Sequence, residues 1–231
     1  VQGGGRRYRF DLEWGSATST DDAEGPVIST SDVRPAEADV RAALPRFTGT
    51  IQQRPPAFSA IKIAGERAYD LARAGEIVEL AERPVTISEL TLLAHGAERS
   101  SFEMACEKGT YVRSLARDLA EALGTRGHVT LLRRTAVAGF TEKDSVLLDA
   151  LEATADRDAL LKPAATVLQH LPELRMSPDE AAFLRNGGVV LLRGRDAPVE
   201  LPAAWASLNG AAIAIGSVKA GHFHPGRVLK G

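Results

Sequence analysis

The stretch Lys108-Gly109-Thr110-Tyr111-Val112-Arg113-Ser114-Leu115-Ala116-Arg117-Asp118-Leu119 decides how this chain folds. Before it, residues 102–106 alternate between apolar side chains and small or polar ones, which predicts a half-buried strand. The glycine supplies a turn, and Thr110 is the predicted N-cap of a helix. Apolar residues then recur at helical spacing until Gly124, where we expect the helix to end.

Two side chains at this junction are candidates for a functional site, Tyr111 and Arg113. Sites in proteins that mix strands and helices often lie where a strand ends and a helix begins. An arginine in a first helical turn opposes the positive end of the helix dipole, so Arg113 should face a carboxylate or a phosphate. The plain alternative is that Tyr111 covers the core and Arg113 is solvated.

The overall composition is that of an ordinary globular protein. The 231 residues are 44% apolar and 25% charged and carry a net charge of −2, so any nucleic-acid site must be a local basic patch. The single cysteine, Cys106, excludes an intrachain disulfide and a thiolate zinc cluster, and it favours a cytoplasmic location. No apolar run has the length of a membrane span or a signal peptide.

The N-terminal region predicts one strand and one acidic loop. Apolar and charged residues alternate strictly over 7–14, which predicts a strand with one buried face. We expect this strand to need a neighbour that the sequence does not contain. Residues 18–25 hold three acids without the spacing of a calcium loop, so a solvated turn is the favoured interpretation over a cation site.

The pattern changes along the chain and predicts two domains. Basic residues dominate 108–134 and acids dominate 141–160, so one basic face is expected. Prolines punctuate 162–178, and short β segments follow. We interpret His222 and His224 as surface residues, because two histidines without further ligands make a weak metal site. We expect an α+β protein with a mixed, largely antiparallel sheet and flanking helices over 1–165, and a small β-barrel over 166–231.

Several motifs occur together in one order and carry a family resemblance. They are Arg7-Tyr8-Arg9-Phe10, Thr20-Asp21-Asp22-Ala23-Glu24-Gly25, Ser59-Ala60-Ile61-Lys62-Ile63-Ala64-Gly65-Glu66-Arg67-Ala68-Tyr69, Lys108-Gly109-Thr110-Tyr111-Val112-Arg113 and Leu132-Arg133-Arg134. This ordered set resembles the TruB family of tRNA pseudouridine synthases. The tail from Ala214 to Val228 resembles that family's C-terminal PUA-like RNA-binding module.

The resemblance implies an activity and a set of site residues. Such enzymes isomerise uridine 55 in the T-arm of tRNA to pseudouridine, with an aspartate nucleophile and without a metal or an organic cofactor. Tyr8 matches the tyrosine that stacks on the flipped base, Tyr111 a second pocket tyrosine, Arg113 the partner of the nucleophilic carboxylate, and Leu132 an apolar wall. The expected partner is tRNA, bound by a monomer in the cytoplasm. The residues expected to contact RNA are Arg54, Lys62, Arg67, Arg126, Arg133 and Arg134.

One departure from the family pattern is large. The aspartate motif, Gly-x-Leu-Asp-Pro, should stand upstream of the Tyr8 strand, and no Leu-Asp-Pro occurs in the sequence. We therefore expect the sequence to be truncated at the front and to be inactive alone, with an open sheet edge beside Tyr8. Two alternatives remain open: a non-catalytic RNA-binding or RNA-folding protein on the same scaffold, and a generic α+β domain.

Overall fold

The computed structural model describes residues 5–63, 65–74 and 80–229, without the side chains of Ile63, Arg67 and Ala72. The chain divides into two compact units with the boundary between Val137 and Ala138. The predicted domain boundary at residue 165 stays a prediction.

The first unit is a sheet with helices. Its strands are β1 (Arg6–Trp14), β2 (Ser16–Thr18), β3 (Val27–Thr30), β4 (Gly49–Gln53), β5 (Lys62–Ile63), β6 (Glu66–Arg67), β7 (Arg83–His95), β8 (Arg99–Cys106) and β9 (Gly127–Val137). Its helices are α1 (Glu37–Ala43), α2 (Ala68–Arg73) and α3 (Val112–Ala122), and a short 3-10 helix spans Leu44–Phe47. Strands β9, β1, β8, β7 and β4 lie side by side in this order, each antiparallel to the next. The predicted α+β class is confirmed.

Strand β1 lies inside this sheet rather than at its edge. It pairs with β8 from Arg6 to Glu13 and with β9 from Arg6 to Trp14. The expected open edge beside Tyr8 is therefore wrong. The error arose because both partners of β1 come from much later in the sequence, where neighbours along the chain give no hint of the pairing.

Helix α3 covers the buried face of the sheet. Phe10, Leu12 and Trp14 of β1 are at most 2% exposed, and Leu115 and Leu119 of α3 are fully buried in the same core. Gly124 follows the helix with φ +71, the left-handed conformation that ends helices at glycine. The periodicities that predicted β8 and α3 are thus confirmed, because both elements bury one face.

The second unit contains a smaller sheet. The strands of this second unit are β10 (Phe140–Thr141), β11 (Glu173–Arg175), β12 (Val190–Leu191), β13 (Leu201–Leu208), β14 (Ala211–Lys219) and β15 (His222–Val228). Its helices are α4 (Leu148–Ala153) and α5 (Pro178–Arg185), with 3-10 helices at Glu142–Asp144, Asp158–Leu160 and Ala164–Val167. Strands β11, β13, β14, β15 and β12 follow one another in a sheet that curls into half a barrel. Only the β11–β13 pair is parallel.

The sequence did not predict α5 or β13 in this unit. Helix α5 begins with a capping box, in which the Ser177 hydroxyl accepts from the Glu180 N–H and the Glu180 carboxylate accepts from the Ser177 N–H.

His222 and His224 lie in β15 with ring centres 6.5 Å apart. Across the described ranges, no group of three or more His, Cys, Asp or Glu could hold a metal. Within the same ranges, no helix has the length and apolar character to cross a membrane.

Candidate active site

Two ion pairs hold the acidic loop 18–25 against α3. Arg113 Nη1 lies 2.8 Å from Asp22 Oδ2, and Arg117 Nη1 lies 2.9 Å from Asp21 Oδ2. The arginines are four residues apart and therefore share one face of the helix. All four side chains are between 15% and 22% exposed, so the interpretation of this loop as a solvated turn is wrong. Its two aspartates each pair with one arginine of the helix.

The carboxylate of Asp22 is satisfied on both oxygens. Oδ2 accepts from Arg113, while Oδ1 accepts from the Thr20 hydroxyl and the Glu24 N–H. The preceding Asp21 adopts φ 60, a conformation that aspartate tolerates because its short side chain bonds locally. The backbone of the loop also bonds to β9, where the Val129 N–H donates to the Asp21 carbonyl at 3.1 Å. The loop is therefore fixed to both the helix and the sheet.

The guanidinium of Arg113 bonds backbone as well as carboxylate. Nη1 donates to the Thr20 carbonyl at 3.1 Å, and Nη2 donates to the Phe58 carbonyl at 2.9 Å. The expected negative partner is present, and it is Asp22, which lies in the loop that the sequence predicted to be a solvated turn. Among the described residues, the Nε–H and one Nη2–H of Arg113 have no acceptor. Two donors thus remain for a further anion.

Arg117 serves two carboxylates at once. It contacts Asp118 Oδ1 at 2.9 Å in addition to Asp21, and its Nη2 donates to the Arg54 carbonyl at 2.9 Å. Burial raises the pKa of the Asp21 carboxyl above its usual value, against the attraction of Arg117 and Arg113. Burial likewise raises the pKa of Asp118. Burial thus outweighs the attraction of Arg117 at both carboxyl groups.

A cleft opens beside the Arg113–Asp22 pair. Its volume is about 480 Å³, and its lining includes Asp22, Glu24, Phe58, Tyr69, Arg113 and Leu132. Two aromatic rings meet edge to face in it, those of Phe58 and Tyr69, with centres 6.0 Å apart. The Arg73 guanidinium lies over the Tyr69 ring at 4.6 Å. Tyr69 was not predicted to belong to the site. The sequence around it offered one indication of a site, an aromatic residue in a basic segment flanked by glycines.

Tyr8 and Leu132 occupy the same face of the sheet. Phe10 lies opposite Leu132 and Tyr8 lies opposite Arg134, and side chains at directly opposed positions share a face. Leu132 is 48% exposed, which is unusual for a leucine on the face that carries the core. Arg133 lies opposite Arg9, so the Cβ of Arg133 lies on the other face of the sheet. The structure thus brings Arg113 and Leu132 into one cleft, with Tyr8 and Arg134 on the adjoining strand positions.

Tyr111 marks the start of α3, where Thr110 was expected. Tyr111 is the N-cap residue and its side chain makes no capping bond, while the Thr110 hydroxyl donates back to the Glu107 carbonyl. The prediction that Thr110 caps the helix is therefore wrong. The amide of Gln53 instead bonds the Tyr111 backbone, at 2.9 Å to its N–H and 3.1 Å to its carbonyl. Tyr111 is not part of the cleft lining given above.

The remaining predicted RNA contacts are scattered over the first unit. Lys62, Arg126 and Arg134 are exposed, and Arg54 lies 3.6 Å from Glu82. The side chain of Arg67 lies outside the described residues. These residues come from several elements: Lys62 begins β5, Arg134 lies within β9, and Arg54 and Arg126 lie in connections. The basic face expected from the sequence stays a prediction.

Comparison with known proteins places this site in a family. A curated protein from Mesorhizobium japonicum, named tRNA pseudouridine synthase B, is 47% identical over 256 residues, covering 100% of this chain and 79% of the relative. The model described as TruB family pseudouridylate synthase (N terminal domain) matches residues 1–112, and the model described as tRNA pseudouridylate synthase B C-terminal domain matches residues 113–169. The chain belongs to the TruB family. A TruB relative of the same name from Chelativorans sp. is 51% identical over 241 residues, covering 99% of this chain and 77% of the relative.

Solved structures share the fold of this TruB-family chain at low sequence identity. A chain in the crystal structure of a Cbf5-Nop10-Gar1 complex matches with a TM-score of 0.68 and 19% identity, covering 98% of this chain and 66% of that one. A chain in the structure of an H/ACA RNP bound to a substrate RNA containing 2'-deoxyuridine matches with a TM-score of 0.69 and 15% identity over the same shares. At these identities the likeness supports the fold alone.

Proposed function

We propose that the protein isomerises uridine 55 in the T-arm of tRNA to pseudouridine. The observation that carries the proposal is Arg113, which is fixed by Asp22 and two backbone carbonyls and keeps two N–H donors for an incoming carboxylate. Membership of the TruB family and the name shared by its relatives support the reaction class. The expected substrate is tRNA, acted on by a monomer in the cytoplasm.

The cleft suits a base taken out of its stack. Atoms of a stacked base are inaccessible to an enzyme, so a modifying enzyme must flip its target into a pocket. The cleft of about 480 Å³ offers an apolar wall at Leu132 and an arginine at its other side. Tyr8, on the neighbouring strand and the same sheet face, is the residue that we expect to stack on the base.

The nucleophilic carboxylate is the part that the sequence does not supply. Asp22 has both oxygens bonded, Asp11 accepts from the Ser101 hydroxyl, and Asp118 pairs with Arg117. Each of these acids already has a partner within the fold, and Asp11 lies on the sheet face opposite Tyr8 because the two are an odd number of residues apart on one strand. We expect the nucleophile to come from a Leu-Asp-Pro segment, which the family places before the Tyr8 strand. Arg113 would hold that carboxylate ionised, because a buried carboxylate without a partner tends to protonate.

The experiment compares two proteins on unmodified tRNA. The first is this chain, and the second carries a segment with the family's Gly-x-Leu-Asp-Pro pattern fused in front of it. We expect pseudouridine at position 55, read by chemical mapping, only with the fusion, and we expect Tyr8→Ala or Arg113→Ala to abolish it. Turnover by this chain alone would show a nucleophile elsewhere. Binding of tRNA without turnover by either protein would favour a non-catalytic RNA-binding or RNA-folding role.

A binding measurement tests the stacking role of Tyr8 separately. Removing the ring in Tyr8→Ala should weaken binding of a T-arm stem-loop by about 1–3 kcal/mol, the usual range for one base stacked on an aromatic ring. The matched control is Tyr8→Phe, which keeps the ring and should retain most of the parent's affinity. Equal affinity of Tyr8→Ala and the parent would remove Tyr8 from the site.

A further inference from the structure

Two side chains on neighbouring strands hold the segment that leads into α3. We infer that Gln53 and Arg83 are positioning residues for Tyr111 and Arg113, an inference that rests on the proposed function of those two residues. Gln53 ends β4 and Arg83 begins β7, and the two lie directly opposite each other in the antiparallel pair. From this shared position both side chains reach residues 109–111.

The side-chain amide of Gln53 bonds the backbone of Tyr111 in the way that a neighbouring strand would. Its side chain is 1% exposed, yet both of its polar atoms are satisfied by a single residue, Tyr111. The Nε2 group donates to the Tyr111 carbonyl and Oε1 accepts from the Tyr111 N–H, at 3.1 Å and 2.9 Å. A primary amide that bonds both groups of one residue fixes the peptide planes on either side of it. Losing the amide would leave two buried backbone groups unpaired.

Arg83 holds the same segment from the other side. Its Nη2 donates to the Gly109 carbonyl at 2.9 Å, and its guanidinium carbon lies 5.3 Å from the centre of the Tyr111 ring. That distance is within the range of a cation–π contact. Gly109 has φ +94, so the turn needs a left-handed residue at the point that Arg83 holds. The turn is therefore restrained in its backbone and in its aromatic ring.

This restraint fixes where α3 begins. The Tyr111 carbonyl also accepts from the Leu115 N–H at 3.1 Å, which is the first helical bond, and no N-cap side chain supports the helix start. Arg113 is two residues further on. Any rotation of the helix start would carry its guanidinium away from Asp22 and from the cleft, so Gln53 and Arg83 set the aim of Arg113 without touching the substrate.

Amide hydrogen exchange on this chain, followed by NMR, tests the restraint independently of activity. Gln53→Met keeps the length of the side chain and removes both bonds, and the exposed neighbour Gln52→Met is the matched control. We expect the Tyr111 amide to exchange about tenfold faster or more in Gln53→Met, because its N–H loses the acceptor that protects it in the fold. The Leu119 amide and the control should be unchanged.

Uniformly faster exchange, or no change at Tyr111, would overturn the inference. If Gln53→Met does not fold, Arg83→Leu takes its place, and unchanged exchange at Tyr111 there has the same meaning.

Kinetics of the Leu-Asp-Pro fusion test the consequence for the site. We expect Gln53→Met to lower kcat about tenfold or more and to change KM for tRNA by less than about twofold, the pattern of a lost transition-state arrangement. Gln53→Glu, which keeps an acceptor for the Tyr111 N–H, should recover part of kcat. Equal changes in kcat and KM would overturn the positioning role. A parent fusion without turnover would count against the proposed function and leave the exchange result standing.

Discussion

Arg113 is the residue on which the proposed chemistry depends most directly. Replacing it in the Leu-Asp-Pro fusion by Lys keeps the charge but loses the planar fork that now bonds Asp22, Thr20 and Phe58. We expect Arg113→Lys to reduce kcat at least about a hundredfold, equivalent to about 2.7 kcal/mol of barrier, with little loss of tRNA affinity. Single-turnover rates and filter-binding constants measure the two effects.

The control for this prediction is a double-mutant cycle with Asp22→Asn. The two changes should not add, because both break the same pair. Equal losses of rate and affinity in Arg113→Lys would identify Arg113 as an RNA contact instead.

Asp21 gives a pH-dependent prediction. Its folded-state pKa is raised by burial, and the usual Asp value is about 3.9, so the folded protein keeps an extra proton in the window that begins near pH 4. The free energy of unfolding of the parent should therefore fall, relative to Asp21→Asn, as the pH rises through that window. Urea unfolding at several pH values between about 4 and 6 measures the difference. Parallel curves for the two proteins would contradict the raised pKa.

Single site residues were easier to recognise in the sequence than their partners were. Arg113 was conspicuous because an arginine misfits the start of a helix, and a negative partner was correctly inferred. Asp22 was not chosen as that partner, since it lies 91 residues away and only the fold brings the two together. Gln53 was missed for the same reason: in the sequence it belongs to an unremarkable polar connector.

At the scale of an element, the loop that carries Asp21 and Asp22 depends on a close approach at Gly25. A Cβ there would lie 2.5 Å from Thr20 Oγ1 and 2.8 Å from the Thr20 nitrogen. Gly25→Ala should displace Thr20, whose hydroxyl bonds Asp22, and destabilise the first unit by about 1–3 kcal/mol, the usual cost of overpacking. Urea unfolding followed by the fluorescence of the buried Trp14 measures it.

The matched control is Gly96→Ala, where the nearest atom to a new Cβ is the Arg99 carbonyl oxygen at 3.4 Å. We expect this variant to stay within about 0.5 kcal/mol of the parent. Equal stability of Gly25→Ala and Gly96→Ala would mean that the loop yields without strain.

Elements with one buried face were predictable, and elements defined by long-range pairing were not. The alternation in β1 and β8 and the helical spacing in α3 are local patterns, and the structure confirms them. The position of β1 between β8 and β9 was not visible, because register is set by residues far apart in the sequence. Helix α5 was missed because proline at its first position reads as a loop signal as well as a helix start.

For the molecule as a whole, the proposal predicts salt-dependent binding of tRNA despite a net charge of −2. Each phosphate neutralised contributes about 0.7–0.9 to the slope of log affinity against log salt. Arg134→Gln, on the sheet face of Tyr8, should reduce the slope by about one such increment. The comparison variant Arg133→Gln, on the opposite face, should reduce it less. Affinity that is flat between low and moderate salt would contradict RNA binding through these residues.

The central place of β1 has a consequence for the order of events during synthesis. Arg6 pairs with Cys106, 100 residues later, and Trp14 pairs with Gly127. At about 5–20 residues per second, a ribosome needs about 5–20 s to make that intervening length. Throughout this interval the apolar side chains of Phe10, Leu12 and Trp14 have no partner strand to cover them. The chain between the paired strands must also close into a loop, at a cost in entropy, before strand pairing can stabilise the fold. We therefore expect strand β1 to be open to chaperone binding on the ribosome until β8 and β9 emerge.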